Sequence, residues 1–200
     1  MTHRSSFPRA RGLRRAGILV ALALLTLYGA PQPARMAETP GVSIKNFGKV
    51  SDNLYRGSQP GQEQFAQLKR FGIKTVIDLR KDSVRDEPEW VRALGMQYFN
   101  IPLKASVAAT EEQTSYFLSI VNNPANWPVY IHCKGGRHRT GALAAVYRIT
   151  QDGWTADRAY KEMEEYDFND GIFGGPVAQK KYVYSFYQRY RAGAAASSQR

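Results

Sequence analysis

The chain has 200 residues, 43% of them hydrophobic and 22% charged, which suits one globular domain and excludes a disordered, collagenous or multi-span membrane protein. Its 28 Lys and Arg against 17 Asp and Glu give a formal net charge of +11, which invites a phosphate-rich partner. Five of those bases (Arg4, Arg9, Arg11, Arg14 and Arg15) fall in residues 1–30 with no acid, leaving 23 bases against 17 acids elsewhere, no independent reason to expect nucleic acid. The single cysteine, Cys133, excludes an intrachain disulfide, a zinc finger and any redox cycle that needs a second thiol in the chain. Of three histidines, His132 and His138 lie within five residues of it.

The arginine-rich start runs into fifteen uncharged residues, Ala16–Ala30. That length suits the core of an export signal better than the roughly 20 residues of a full bilayer span. An uncleaved, slightly short anchor with its arginines inside is the competing reading. Residues 1–30 are thus expected to export or tether the protein, placing it outside the cytoplasm or on a membrane. The Pro-bearing stretch 31–43 reads as a linker, 44–191 as the folded domain and 192–200 as a disordered tail.

From about Ser43 short apolar runs alternate with amphipathic stretches, the pattern of an α/β fold with a central, mostly parallel sheet flanked by helices. Asn46–Val50 and Leu54–Arg56 read as a short hairpin. Gly61–Phe71 reads as a helix closed by Gly72, with Phe65 and Leu68 inward, and Lys74–Leu79 as a strand dense in β-branched residues. A second unit repeats this, with a helix over Asp86–Leu94 and a strand over Gln97–Ile101. Thr110 to Gln113 form a capping box that opens a helix to Val121, its buried stripe Tyr116/Phe117, Ile120 and Val121. Asn122–Pro128 turns the chain into the strand Val129–His132, and helices are expected over Gly141–Gln151, Thr155–Tyr166 and Gln179–Arg191.

Between that strand and the Gly141–Gln151 helix lie Cys133, Lys134, Gly135, Gly136, Arg137, His138, Arg139 and Thr140. A Gly-bearing turn that ends as a helix begins aims several backbone N–H groups at one point, and the helix dipole adds positive potential there. A cysteine at the lip of such an anion site has its thiolate stabilised and becomes a nucleophile near neutral pH. Arg139 can grip two phosphate oxygens with its planar fork, a task for which Lys is a poor substitute. Thr140 offers a hydroxyl to the thiolate, and Gly135 and Gly136 permit close approach of the backbone. Lys134 and Arg137 add cations to the rim, either to bind a multiply phosphorylated ligand or only to steer it. His138 either contacts substrate or occupies the outer side of the loop. The bland alternative for Cys133, a small buried hydrophobe, fits poorly with an arginine six residues on.

His132-Cys133, five residues, then Arg139-Thr140-Gly141 resembles the signature loop of the cysteine-dependent protein tyrosine and dual-specificity phosphatases. The form KGGRHRTG is most similar to the plant and fungal atypical dual-specificity phosphatases and their bacterial relatives. Asn53–Pro60 (NLYRGSQP) and Phe71–Arg80 (FGIKTVIDLR) are similar to the opening of that family, so the resemblance spans about Val50–Tyr166. It implies the tyrosine-phosphatase fold and a two-step hydrolysis without metal or cofactor: Cys133 attacks phosphorus, a phosphocysteine forms, and water releases phosphate. It also implies that Arg139 clamps the phosphate, Thr140 is the hydroxyl partner, and His132 hydrogen-bonds nearby backbone to fix the cysteine. The phosphorylated substrate could be a phosphoprotein, a phosphoinositide or an inositol phosphate.

The sequence departs from the family over the general acid. Members with a defined acid carry Asp on the loop after the strand corresponding to Gln97–Ile101, but Pro102–Ala109 holds no carboxylate. Glu112 and Asp86 are the substitutes considered, against ordinary roles at helix starts, and Asp78 and Asp82 follow or end the neighbouring strand. A phosphoanhydride leaving group, which needs little protonation, would account for the gap. Low-molecular-weight phosphatases and arsenate reductases share the Cys-(five)-Arg loop but carry it near the N-terminus. A rhodanese-type sulfurtransferase and a catalytically weak phosphate-binding module are the remaining alternatives. The aromatic and cationic run 180–191 invites a nucleic-acid or membrane role, but its helical spacing favours a packed amphipathic helix.

Overall fold

The computed structural model describes Met1 and residues 41–169 and 177–197. The expected leader, most of the linker and the last three residues lie outside the described residues, as does 170–176, within a stretch that reads as a surface loop. Among the described residues no helix is long and apolar enough to cross a membrane.

Among the described residues twelve segments follow one another in the order the sequence implies. They are β1 (Gly48–Ser51), β2 (Leu54–Ser58), α1 (Gln62–Phe71), β3 (Thr75–Arg80), α2 (Glu87–Ala93), β4 (Gln97–Leu103), α3 (Glu111–Val121), a 3₁₀ turn (Pro124–Asn126), β5 (Val129–Cys133), α4 (His138–Gln151), α5 (Ala156–Glu165) and α6 (Val177–Ser197). The strands form one sheet in the order β1-β2-β5-β3-β4; only the β1/β2 hairpin is antiparallel. Gly72 closes α1 at φ +106°, a left-handed conformation that glycine adopts without steric cost. Thr110 accepts from the Gln113 amide and Gln113 reaches back to Thr110, the expected capping box.

Helices cover both faces, so the central strands β3 and β5 are buried at every position. Successive side chains point to opposite faces. Val129, Ile131 and Cys133 join Ile77 and Leu79 in the core beneath α3 to α6, whereas Tyr130 and Val76 pack with Phe65, Leu68 and Val91 beneath α1 and α2. His132 and Asp78 are register partners on β5 and β3 and follow Tyr130 and Val76 onto the second face. A register shift between Asp78 and Arg80 interrupts the β3/β4 ladder, and the Asn100 amide donates to both carbonyls at 2.9 Å.

Three details differ from the sequence expectations. Tyr116 is 48% exposed, because the inner face of α3 is set by Thr114, Phe117, Ile120 and Val121, and one residue is about 100° of helix rotation. α4 begins at His138 rather than Gly141, which puts Arg139 and Thr140 in its first turn. α6 runs on through Ala194, Ala195 and Ala196, strong helix formers, to Ser197, so the expected disordered tail is helical as far as that residue. Tyr182 and Val183 are buried on its inner side, which makes it a packing helix of the core.

Candidate active site

The four parallel strands end on the same edge of the sheet, at Ser58, Arg80, Leu103 and Cys133, and the crevice at that edge is where open α/β sheets bind ligands. Here a pocket of about 430 Å³ is lined by Ala105, Cys133, Lys134, Gly135, Arg137, His138 and Arg139. Five of the loop residues singled out in the sequence, together with Cys133, therefore share one cavity. Lys134 is exposed at its rim, and Arg139 is 8% exposed. Gly136 faces the other way: at φ +67° its position for a Cβ lies 2.4 Å from the carbonyl carbon of Gly57 and 2.6 Å from the Ser58 nitrogen. Only glycine lets the loop fold this tightly against the end of β2.

Cys133 is buried, which by itself raises a thiol's pKa, yet the balance is downward. The hydroxyl and backbone amide of Thr140, the Arg139 guanidinium and the Gly136 amide together outweigh burial. The Thr140 hydroxyl is fully buried, has no hydrogen-bond partner among the described residues, and is the largest of the influences that favour the thiolate. Arg139 is held by the Leu103 carbonyl at 3.1 Å and by Asp82 at 3.5 Å. His138 lines the pocket with its ring edge-on to Phe168, 5.3 Å between centroids. Burial, then Arg137 and Arg139, push its pKa down, so it is neutral at pH 7.

Two residues that sequence reasoning gave no functional role hold the loop from beneath. Asn46 donates to the Gly135 carbonyl and Arg56 to the Gly136 carbonyl, both at 2.8 Å. Arg56 is fully buried, stacked 3.8 Å above the Tyr166 ring, with burial drawing its pKa down against the opposing charges of Glu162, Tyr166 and Cys133. The Gly136 amide, in the same peptide as the pinned Gly135 carbonyl, is one of the groups that favour the Cys133 thiolate. His132 does not bond backbone as expected. Its Nε2 is 2.8 Å from Glu87 Oε1, and its Nδ1 faces Asp78 at 3.9 Å, all three residues having no exposed surface. Nothing in the sequence separates Glu87 from a first-turn helix acid, so its burial was not readable there.

Neither proposed general acid reaches the pocket. Asp86 is exposed at the start of α2 and lines a separate groove with Gln62, Glu63 and Trp90. Glu112 is exposed in the first turn of α3, where the Thr110 hydroxyl and its own backbone amide hold its pKa down, as suits a helix-start acid. The carboxylate the fold does bring to the site is Asp82, through Arg139 and Arg80. Its own backbone amide, Arg80 and Arg139 hold its pKa below the ordinary range, so it is ionised and serves the clamp as a counter-ion.

Residues 41–182 match a family model described as DSP-PTPase phosphatase fused to NAD+ kinase. The chain belongs to this family of phosphatases. Members of the family similar to it include the dual specificity protein phosphatase TpbA of Pseudomonas aeruginosa, 33% identical over 141 residues that cover 70% of this chain and 63% of that protein. The inositol diphosphatase SIW14 of Saccharomyces cerevisiae is 30% identical over 62% of this chain and 46% of its own length. The chain thus spans less than two thirds of these relatives. The crystal structure of TpbA superimposes with a TM-score of 0.61 at 28% identity, covering 77% of this chain and 94% of that one. The catalytic core of SIW14 gives 0.64 at 24% identity, over 79% and 95%. The mostly parallel sheet expected from the alternation of strands and helices, and the phosphatase fold implied by the resemblance, are those observed.

Proposed function

We propose that the domain hydrolyses phosphate monoesters through a phosphocysteine. The observation that carries this is a buried thiol whose pKa is nevertheless lowered, set in a loop whose amides and Arg139 converge on the same pocket. The Cys133 thiolate attacks phosphorus and forms the S–P bond as the P–O bond to the leaving group breaks, and the leaving oxygen takes up a proton. Water then attacks phosphorus, the S–P bond breaks, and inorganic phosphate leaves with the thiolate restored. Arg139 and the loop amides hold the equatorial oxygens through both steps.

Two features support a substrate with more than one phosphate: the rim cations Lys134 and Arg137, and a pocket with no carboxylate among its described lining residues. A leaving phosphate needs little protonation, so a phosphoanhydride fits such a pocket; the inositol diphosphatase among the relatives favours this class, and TpbA favours phosphoproteins. The N-terminal arginines and apolar run further support export or membrane tethering. Phosphate release from p-nitrophenyl phosphate, abolished by Cys133→Ser and insensitive to chelators, tests the reaction. A panel of inositol diphosphates against phosphotyrosine peptides tests the substrate class, and a strong peptide preference would overturn the anhydride reading. Cell fractionation locates the protein.

A further inference from the structure

A line of side chains crosses beneath the pocket from the residue before the nucleophile to the phosphate clamp. His132 Nε2 meets Glu87 Oε1 at 2.8 Å, and Glu87 Oε2 accepts from the Gln59 amide. Gln59 Oε1 in turn accepts from Arg80 Nη1 at 2.7 Å. Arg80 Nη2 donates to the backbone carbonyl and carboxylate of Asp82, whose other oxygen meets Arg139 Nη1 at 3.5 Å. The backbone of Gln59 also donates to the carbonyl of Lys134, the first residue of the phosphate loop, at 3.3 Å.

Every donor and acceptor in this line has a fixed direction. A carboxylate at position 87 is acceptor-only, which places the proton of His132 on Nε2 and turns the NH₂ of Gln59 toward Glu87. The Gln59 oxygen is then left facing Arg80, where an acceptor is needed. Glu87 and His132 have no exposed surface, so water cannot substitute for a partner lost at that end of the line, whereas Asp82 at the other end is exposed.

We propose that Glu87 is a positioning residue for the phosphatase site, setting both the placement of Cys133 through His132 and that of Arg139 through Gln59, Arg80 and Asp82. This rests on Cys133 and Arg139 being nucleophile and clamp. The alternative, a buried carboxylate that only docks α2 against the sheet, predicts a loss of stability without a change in the thiol or in the anion grip.

The donor pattern supplies a test in which shape is held constant. Glu87→Gln puts an amide opposite the Gln59 amide, so one of the two must turn and present NH₂ to Arg80 or to His132. Gln59→Glu alone sets two carboxylates against each other. The double variant restores the line with one bond reversed, the amide at position 87 donating to the carboxylate at position 59, which still accepts from Arg80. Three quantities are read on the full chain: kcat and KM for p-nitrophenyl phosphate, the inhibition constant of inorganic phosphate, and the pH midpoint of Cys133 alkylation by iodoacetamide. Because Cys133 is the one thiol of the chain, alkylation reports on it without turnover.

Each single variant is expected to lower kcat at least tenfold, weaken phosphate inhibition several-fold and shift the alkylation midpoint, and the double variant to recover all three to within about threefold of native. Native values in Glu87→Gln, or a double variant that regains thermal stability but not these three readouts, would overturn the proposal. If the native chain releases no phosphate while the alkylation midpoint still shifts in the single variants and returns in the double, the assigned reaction fails and the positioning role stands.

Discussion

Gly136 lies against Gly57: a methyl group on the first would sit 2.4 Å from the carbonyl carbon of the second. The phosphate loop is thereby pressed onto the end of β2, and Gly136 is held at φ +67°. Gly136→Ala combines a left-handed conformation, costing about 1–2 kcal/mol, with a backbone clash that displaces the loop. Activity on p-nitrophenyl phosphate is expected to fall at least a hundredfold, since a displacement of about 1 Å in such a site is worth that much. Circular dichroism of the folded variant would check that the loss is local; full activity in it would contradict the packing described.

Thr140 contributes most to the lowering of the Cys133 pKa. Burial raises the thiol's pKa, and the Thr140 hydroxyl is the largest of the opposing effects. Removing it with Thr140→Val moves the balance upward, so the fraction of thiolate at a given pH falls. The acidic limb of kcat/KM, which rises with pH as the thiol ionises, is therefore expected to move to higher pH. Rates at high pH should be affected less than rates at low pH, and a profile identical to native would count against the hydroxyl's role.

Arg56 is a fully buried cation whose Nη2 donates to the Gly136 carbonyl. Arg56→Met keeps much of the apolar stem but removes a charge-assisted bond worth about 1.5–3 kcal/mol and frees the carbonyl. Loss of the cation also withdraws an attraction to the Cys133 thiolate. A lower Tm with a raised midpoint for thiol alkylation is the expected pair of results; a lower Tm alone would reduce Arg56 to a scaffold residue.

The carboxylates divide cleanly by position. Glu112→Gln and Asp86→Asn, both remote from the pocket, are expected to change the rate on an aryl phosphate by less than about threefold, within the range of an ordinary surface change of roughly 0.5 kcal/mol. Asp82→Asn weakens the ion pair that positions Arg139, so inorganic phosphate should inhibit two- to fivefold less tightly, the scale of an exposed ion pair of about 0.5–1 kcal/mol. A hundredfold loss of rate in Glu112→Gln or Asp86→Asn would restore that residue as general acid.

Away from the site, Tyr182 and Thr114 join α6 to α3 through hydroxyls 2.6 Å apart. Thr114 already donates to the Thr110 carbonyl at 2.7 Å, so Tyr182 is the donor of the pair. Tyr182→Phe should cost about 1 kcal/mol in thermal or denaturant unfolding and leave kcat unchanged.

Much of this arrangement was legible in the chain. Runs rich in β-branched residues predict the strands, because a strand covered on both faces is buried at every position, as β3 and β5 are, although they also hold Asp78, Arg80 and His132. The Cys133-to-Thr140 spacing predicts the anion site, because a loop that closes onto a helix start gathers its own amides over a few residues. Where the elements begin was less legible: Gly141 reads as the start of α4, but the helix opens at His138, and Gly141 lies inside it, close to Met163 and Arg56.

What the sequence by itself determined is the local chemistry: a nucleophile, a clamp and a hydroxyl within eight consecutive residues, and the alternation of strand and helix that presents them. Only the tertiary structure decided which distant groups serve them. Asp78 meets His132 because β3 and β5 are neighbours in that register, and Arg56 reaches Gly136 across 80 residues because β2 lies on the other side of β5. Glu87 and Glu112 both read as helix-start acids, yet one is buried against a histidine and the other is in solvent. That difference comes from the face of the sheet each helix covers, which strand order sets and residue spacing does not.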